Sequence, residues 1–545
     1  MKTIYCSINE RKYSINIYQM LKTQNLKLLD CTLRDGGYYN NWNFDIKKAN
    51  KYLKSSYSAN IDIIELGFKF LEKNQNYGPF AFVDTKLIKK IPKNKKTKIA
   101  IMINADDFLK IKGNYKTYLN KLFKKKSDLE IIRIAVRFKD YKMIMKYINH
   151  LKSLNYKICF NLMQINNISA TKLKKCLRDL KLSKSVDVFY FADSFGNLTP
   201  LDVKKICKII KKNWDKEIGI HSHDNCGLAL RNCIEAFKSG VTWIDGTIQG
   251  MGRGAGNAKT ENLLNYFKKY NYNPKAINSI SNSYFSDLRE KYNWGKSKYY
   301  RLAAKYDIHP TYIQMLQADK RYSSTEIMQS INSLKKIIAT SYDPKTLERS
   351  FIDDKNIIGN WNAEGFLDNK NVIILGYGPS LKHKKNINKI KKCILKYKCA
   401  VLSININNFI PDYLIDFYVS SNETRISLDH QKYNSLKKPI IIPKNKLKRI
   451  KKNFTKINFL DYGMTIKNNK FLFDNNYSIV PYNLTFAYAM ALVFIGRAKK
   501  IFIAGFDGYK QGQREQVEMQ KTIDLIYKSR KSLILNSLTK TSYKL

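Results

Sequence analysis

Residues 186–224 read VDVFYFADSFGNLTPLDVKKICKIIKKNWDKEIGIHSHD. The order of apolar run, amphipathic run and apolar run sets the architecture of the first half of the chain. "VDVFYFAD" (186–193) and "EIGIHSHD" (217–224) are short and mostly apolar, as parallel strands buried on both faces are. Between them "PLDVKKICKIIKKNW" (200–214) has a helical period and a lysine-rich outer face. Outward from this unit the alternation continues. Strands are predicted at "LKLLDCTL" (26–33), "IDIIELGF" (61–68), "TKIAIMIN" (97–104), "LEIIRIAV" (129–136), "YKICFNLM" (156–163) and "VTWIDGTI" (241–248). Eight β–α units in about 230 residues predict a (β/α)8 TIM barrel, with a doubly wound open sheet as the alternative.

In a barrel of this kind, reactive side chains gather at the C-terminal ends of the strands. Polar groups recur there. Arg34 and Asp35 are expected to finish the first strand, Glu65 lies late in the second, Asp193 and Ser194 finish the sixth, and His221 and His223 finish the seventh. Strand side chains alternate, so both imidazoles of an H-x-H pair point the same way. With Asp35 they make a two-histidine, one-carboxylate set with open positions, suited to a divalent ion that activates a substrate oxygen. Taken singly, an H-x-H is a packed or solvated pair and Arg-Asp a local salt bridge; the conjunction at matching ends points to metal. His150 and His309 have no strand-end placement. After the eighth strand "GTIQGMGRGAGNAKTE" (246–261) is glycine-rich, with Gly254 and Gly256 allowing close backbone approach to a ligand.

"DCTLRDGG", "IELGF", "ADSFGN", "IGIHSHDNCGLAL" and "GMGRGAGNAKTE" together resemble the signature stretches of the DRE-TIM metallolyase superfamily. That group includes 4-hydroxy-2-oxovalerate aldolases, HMG-CoA lyase and pyruvate carboxyltransferases. The resemblance implies Asp35, His221 and His223 as metal ligands, with Asn257 as a further one. It also implies Arg34 beside the metal against an enolate oxygen, and Glu65 and Ser194 lining the substrate site. Mn2+ is the first expectation for oxygen and imidazole ligands without thiolate, followed by Mg2+ and Zn2+. The aldolase branch carries a histidine base three residues after the metal aspartate; here that residue is Tyr38. Either Tyr38 carries the proton, or His309 or Tyr312 reaches in from "IHPTYIQML" (308–316), or the reaction differs and Tyr38 is a wall of the pocket.

The rest of the chain is expected to comprise an N-terminal extension (1–25), a helical continuation of the barrel (266–350) and a second, smaller Rossmann-like α/β domain (351–545). "ILGYGPSL" (374–381) sits at a strand-to-helix turn where Gly376, Gly378 and Ser380 are placed to meet a phosphate, although Leu381 replaces the third glycine of the full pattern. This half resembles Rossmann-like domains of bacterial surface-glycan enzymes. That resemblance implies nucleotide or nucleotide-sugar binding, with Asn422 and Asp507 as candidate contacts.

The 545 residues carry 98 Lys and Arg against 44 Asp and Glu, a formal charge of +54. Lysine is spread through nearly every helix-like stretch beside abundant Asn, Ile and Tyr, so the charge reads as compositional bias and nucleic acid is not the expected partner. Nine scattered cysteines without a C-x-x-C pair fit a reducing compartment. The N-terminus lacks an apolar signal region and the apolar run "FAYAMALVFIG" (486–496) is too short to cross a bilayer, so a cytoplasmic location away from membranes is expected.

These features predict a metal-dependent aldolase or lyase acting through the enolate of a 2-oxo acid, pyruvate above all, with an aldehyde or sugar-derived acceptor. A surface-polysaccharide pathway would give both halves a purpose, and the family resemblance implies a homodimer. A Claisen-type synthase or lyase using acyl-CoA on the same barrel is the second reading. A polyanion-binding scaffold with an inactive barrel is the third.

Overall fold

The computed structural model describes residues 25–72, 74–123, 128–319, 322–337, 339–350, 356–422, 425–426, 429–444, 459–509, 513–530 and 533–545. The N-terminal extension up to residue 24, and Glu423 and Thr424 beside Asn422, lie outside them. The chain divides into two compact units, Met1–Gln314 and Met315–Leu545.

The first unit is a closed parallel barrel of β1 (Lys27–Asp30), β2 (Ile63–Phe68), β3 (Lys98–Asn104), β4 (Ile131–Val136), β5 (Lys157–Leu162), β6 (Val188–Asp193), β7 (Glu217–Ser222) and β8 (Trp243–Gly246). Each of the eight apolar runs forms one strand. The outer helices follow from their sequences: Pro200–Asn213 begins with a Thr199–Asp202 capping box and buries Val203, Cys207 and Ile210 on one face. Inside, Leu29, Cys31, Ile63, Ala100, Ile131, Cys159, Val188, Tyr190 and Trp243 form a closed core, a packed interior with no open channel. At the N-terminal end of the strands Glu217 pairs with both Lys27 and Lys157. Their ammonium groups lie over the Trp243 indole, 5.1 and 4.8 Å from its centre.

One expectation about β1 needs correction. Arg34 and Asp35 do not finish the strand, which ends at Asp30. The buried Asp30 carboxylate accepts the Thr32 amide at 2.9 Å and the hydroxyls of Thr32, Tyr52 and Thr260. Such local acceptance competes with continued pairing, and the chain turns into a single helical turn, Thr32–Asp35. Arg34 and Asp35 project from that turn, which the Trp42 indole braces by donating to the Arg34 carbonyl at 2.8 Å.

After the barrel come the helices Lys275–Ile280, Ser286–Tyr292, Lys298–Lys305 and Pro310–Ala318. The link between the last two is tied to the mouth of the barrel. Asn197, in the loop after β6, donates to Asp307 Oδ1 at 2.9 Å and to the Ala304 carbonyl at 3.0 Å.

The second unit holds a parallel sheet in the order β13-β12-β11-β10-β9-β17-β18. Its strands are β9 (Asn371–Leu375), β10 (Ala400–Ile404), β11 (Phe417–Val419), β12 (Ile440–Ile442), β13 (Phe459–Asp461), β17 (Lys500–Ala504) and β18 (Leu535–Ser537). The chain steps outward from β9 to β13 and returns to the other side of β9 with β17, which is the doubly wound pattern. A three-stranded sheet of β14 (Gly463–Ile466), β15 (Leu472–Asp474) and β16 (Tyr477–Val480) is inserted between β13 and β17. The helix Thr485–Ile495 is apolar all round because Phe486 through Phe494 are all buried. Among the described residues no helix is long and apolar enough to cross a membrane, and the eight described cysteines are free thiols.

Candidate active site

The candidate centre is built on β7. His221 is the last but one residue of that strand, and His223 stands just beyond it, bridged to Asn257 of the glycine-rich loop. The two-residue period brings the imidazoles together, ring centres 4.9 Å apart and planes at 89°. Each Nδ1 has an acceptor: Asp245 Oδ2 lies 2.9 Å from that of His221, and the Asp193 carbonyl 2.8 Å from that of His223. A proton on each Nδ1 leaves both Nε2 atoms as the coordinating nitrogens. Asp35 Oδ2 lies 3.2 Å from His221 Nε2. Ligand atoms of Asp35, His221 and His223 all fall within 4.8 Å of one another.

Electrostatics agree with that grouping. Burial opposes ionisation of Asp35, but Arg34 and the two histidines outweigh it and hold the carboxyl well below its usual range. Burial lowers the His223 pKa to about 3, helped by His221, so this ring is neutral at physiological pH. His221 goes the other way: burial lowers its pKa, but the carboxylates of Asp245 and Asp35 on its two nitrogens more than offset this. Asn257 donates to Asp35 through Nδ2, while its buried Oδ1 has no hydrogen-bond partner. An orphaned buried amide oxygen, two imidazole nitrogens and an ionised carboxylate form a donor set that a divalent cation satisfies. Cys31, His221 and Asp245 also cluster. That thiol bonds the Gly246 carbonyl at 3.4 Å, and burial pushes its pKa well above the ordinary value.

Beneath the triad lies a buried ionic layer. Arg34 contacts Asp35 Oδ1 through Nη1 and Glu65 Oε2 through Nε, at 2.5 and 2.6 Å. Arg133 on β4 pairs with the other Glu65 oxygen at 3.1 Å and with Asp245 Oδ2 at 2.5 Å. Two guanidiniums face three carboxylates, Asp35, Glu65 and Asp245, so the formal balance of the layer is one negative charge. A divalent cation at the triad would reverse that sign.

Tyr38 stands at the mouth. Its ring packs edge-on against Trp42 at 5.0 Å and Phe68 at 6.0 Å, with the Arg253 guanidinium 4.2 Å over its centre. Burial raises the Tyr38 pKa despite the pull of Arg253 and Arg34. Arg253 Nη1 lies 3.5 Å from His309 Nε2. The "HPTY" segment therefore does reach the site, through His309, which burial lowers to about 3. Tyr312 is fully buried one turn on, its amide donating to the His309 carbonyl at 3.1 Å.

The remaining candidates have largely scaffolding contacts. The Asp193 carboxylate accepts the Asn197 and Leu198 amides at 3.1 and 3.3 Å, and burial raises its pKa to about 7. Ser194 Oγ accepts the Gln164 amide at 2.9 Å. Gly254 accepts the Tyr39 hydroxyl at 3.2 Å. Gly256, at φ +90°, passes so near the Gly250 carbonyl that a Cβ would come within 1.9 Å of its oxygen. In the second unit Gly376 and Gly378 follow β9, and a Cβ on Gly378 would meet Asp507 at 2.7 Å. Asp507 accepts the Ser380 amide at 2.6 Å and also its hydroxyl, so the amide offered to a phosphate is satisfied internally. Asn422 Oδ1 accepts the Arg425 amide at 2.9 Å.

Sequence reasoning missed Arg133, Asp245 and Arg253. The first two left a signal, a charged residue inside an apolar strand run in "IIRIAV" and "WIDG".

Comparison with known proteins follows this geometry. Residues 25–281 match the HMGL-like family. A 4-hydroxy-2-oxovalerate aldolase of Carboxydothermus hydrogenoformans is 28% identical over 256 residues, 45% of this chain and 72% of that protein. An oxaloacetate decarboxylase of Mycobacterium tuberculosis is 25% identical over 246 residues, 44% of this chain and 68% of that one. The crystallised N-terminal domain of a Bacteroides vulgatus protein assigned as an aldolase is 33% identical with a TM-score of 0.50; the match covers 56% of this chain and 100% of that domain. The barrel that carries Asp35, His221 and His223 is thus the part of this chain that matches the HMGL-like family, 257 of its 545 residues.

Proposed function

We propose that the first unit is a divalent-metal-dependent lyase that makes or breaks the carbon–carbon bond next to the carbonyl of a 2-oxo acid, with pyruvate as the enolisable partner. The observation that carries this reading is the ionised Asp35 standing between the Nε2 side of His221 and the clamped guanidinium of Arg34. Two relatives support it, being named for 4-hydroxy-2-oxovalerate and oxaloacetate, which are both 2-oxo acids.

Asp35, His221 and His223 would hold the ion, with Asn257 Oδ1 as a further ligand; Mn2+ would suit this oxygen–nitrogen set, and Mg2+ or Zn2+ could occupy the same donors. When bound, the ion supplies positive charge that polarises the ketone. Arg34 provides the second charge. With Nε and Nη1 spent on Glu65 and Asp35, its remaining N–H groups stabilise the oxygen of the enolate as negative charge develops there. Glu65, itself gripped by Arg133, sets the angle of that guanidinium. Ser194, Asp193 and the backbone at Gly254 and Gly256 wall the substrate space.

In the cleavage direction a 4-hydroxy-2-oxo acid loses its hydroxyl proton and the C3–C4 bond breaks. The electron pair moves into the enolate, an aldehyde leaves, and C3 then takes up a proton. Tyr38 is a neutral phenol because burial raises its pKa. In condensation it gives its proton to the oxygen of the acceptor aldehyde, and in cleavage the same oxygen, as phenolate, takes the hydroxyl proton back.

Proton exchange at pyruvate C3 tests this function. The protein is stripped of metal, reloaded with Mn2+ or Mg2+ and incubated with pyruvate in D2O under NMR. Metal-dependent exchange that disappears in Asp35→Ala and His221→Ala is the expected result. No exchange with metal demonstrably bound would exclude pyruvate as the enolised partner.

A further inference from the structure

Arg253 is the cation at this site for which the ionic layer supplies no counter-charge. Arg34 and Arg133 are each held by two carboxylates, whereas among the described residues no carboxylate pairs with Arg253. Its Nε is buried without a hydrogen-bond partner, and its guanidinium rests on the Tyr38 ring. The loop carrying it is braced beyond it: the Tyr39 hydroxyl donates to the Gly254 carbonyl, and the Ala255 amide donates to Asn225 Oδ1 at 2.8 Å. This is a positioned side chain on a fixed backbone.

His309 sharpens the picture. Its Nδ1 accepts the Thr311 amide at 3.3 Å, which assigns the proton of the neutral ring to Nε2. That N–H faces Arg253 Nη1 across 3.5 Å. An oxyanion seated between them would accept from both Arg253 and His309. Asp307, held by Asn197, keeps the segment in place.

We propose that Arg253 and His309 form an oxyanion subsite at the barrel mouth, which selects acceptors carrying a carboxylate or phosphate remote from the reacting carbonyl. The inference rests on the 2-oxo acid reading for the word acceptor; the subsite itself rests on Arg253. Because the guanidinium lies over Tyr38, an anion seated there brings the acceptor beside the phenol assigned to its carbonyl oxygen.

The test uses the full-length Mn2+-loaded protein at physiological ionic strength and has two arms. The first is calorimetric titration with succinate and inorganic phosphate, against succinamide as the uncharged four-carbon control. Arg253→Ala is expected to weaken succinate or phosphate about tenfold or more, succinamide less than twofold, and Arg253→Lys to recover part of the loss. The second arm compares condensation of pyruvate with succinic semialdehyde against butanal, and with glyceraldehyde 3-phosphate against glyceraldehyde. A preference of at least about tenfold in kcat/KM for one charged acceptor, expressed in KM and collapsing toward one in Arg253→Ala, supports the subsite and tells carboxylate from phosphate. An equal loss for charged and neutral acceptors overturns it, as does a ratio near one in the unsubstituted protein. If pyruvate exchange and condensation are both absent, the reaction assignment falls and the first arm alone decides: undiminished succinate and phosphate binding in Arg253→Ala, with Arg253→Lys the same, overturns the subsite.

Discussion

His221 Nδ1 and Asp245 Oδ2 face each other at 2.9 Å, and the same carboxylate oxygen receives Arg133 Nη2. One oxygen thus orients the imidazole and anchors the guanidinium layer beneath it. Burial opposes ionisation of Asp245, yet Arg133 and His221 outweigh it and hold its pKa below the usual range.

Replacing that carboxylate should therefore reach the metal without touching it. Asp245→Asn keeps the shape but removes the charge that fixes the His221 proton on Nδ1. Mn2+ affinity is expected to fall about 10- to 100-fold, read by titration with EPR detection of free Mn2+. Undiminished affinity would show that the His221 tautomer is set elsewhere.

Metal affinity should depend on pH through one histidine. His223 is neutral across the physiological range because its pKa is about 3. His221 has a raised pKa and must lose a proton to coordinate. Binding should weaken as pH falls through the raised His221 pKa, with one proton released per ion below it and none above. Stability of the metal-free fold should run the opposite way. A raised folded-state pKa contributes stability that is fully present below the unfolded value of about 6.5 and lost as pH rises through the folded value. Calorimetry in buffers of different ionisation enthalpy counts the protons, and thermal melts with and without Mn2+ follow the stability.

Tyr38→Phe should separate the two halves of the reaction. In the proposed reaction enolisation of pyruvate would rely on Arg34 and the ion, so C3 exchange is expected to fall less than tenfold. Condensation needs the phenol, and its kcat should fall about 10²- to 10³-fold. Equal losses in both assays would move the proton-carrying role away from Tyr38.

Arg133→Met tests the buried layer itself. Arg133 is fully buried and pairs with Glu65 and Asp245, so its loss leaves Glu65 to Arg34 and Asp245 to His221, two buried carboxylates short of one guanidinium. A destabilisation of about 3–5 kcal/mol is expected, measured by urea denaturation. Adding Asp245→Asn to Arg133→Met should recover part of it, because one of the stranded charges is then gone.

The barrel was legible because parallel strands covered on both faces read as unbroken apolar runs, and eight of them recur with helices between. His221 and His223 were legible for a related reason: a period of two needs no tertiary information. The end of β1 was not: Asp30 accepts the Thr32 amide that turns the chain, while Tyr52 and Thr260, residues far along the chain, hold its buried carboxylate in place. Arg133 and Asp245 meet only when the barrel closes and sets β4 across from β8. His309 reaches Arg253 through a tie at Asp307 that no spacing encodes. In the second unit β13 and β18 are three residues each, too short for periodicity to mark.

The seal at the far end of the strands, where Glu217 draws Lys27 and Lys157 onto the Trp243 indole, bears on traffic as well as packing. A barrel stoppered there has a single doorway, so whatever enters last stands in front of whatever entered first. If the proposed reaction holds, a keto acid seated at Asp35 and Arg34 would precede an acceptor held by Arg253, and departure would reverse that order. Steady-state kinetics should accordingly follow a compulsory sequence, with product-inhibition patterns in which the acceptor competes only with the species nearest the entrance.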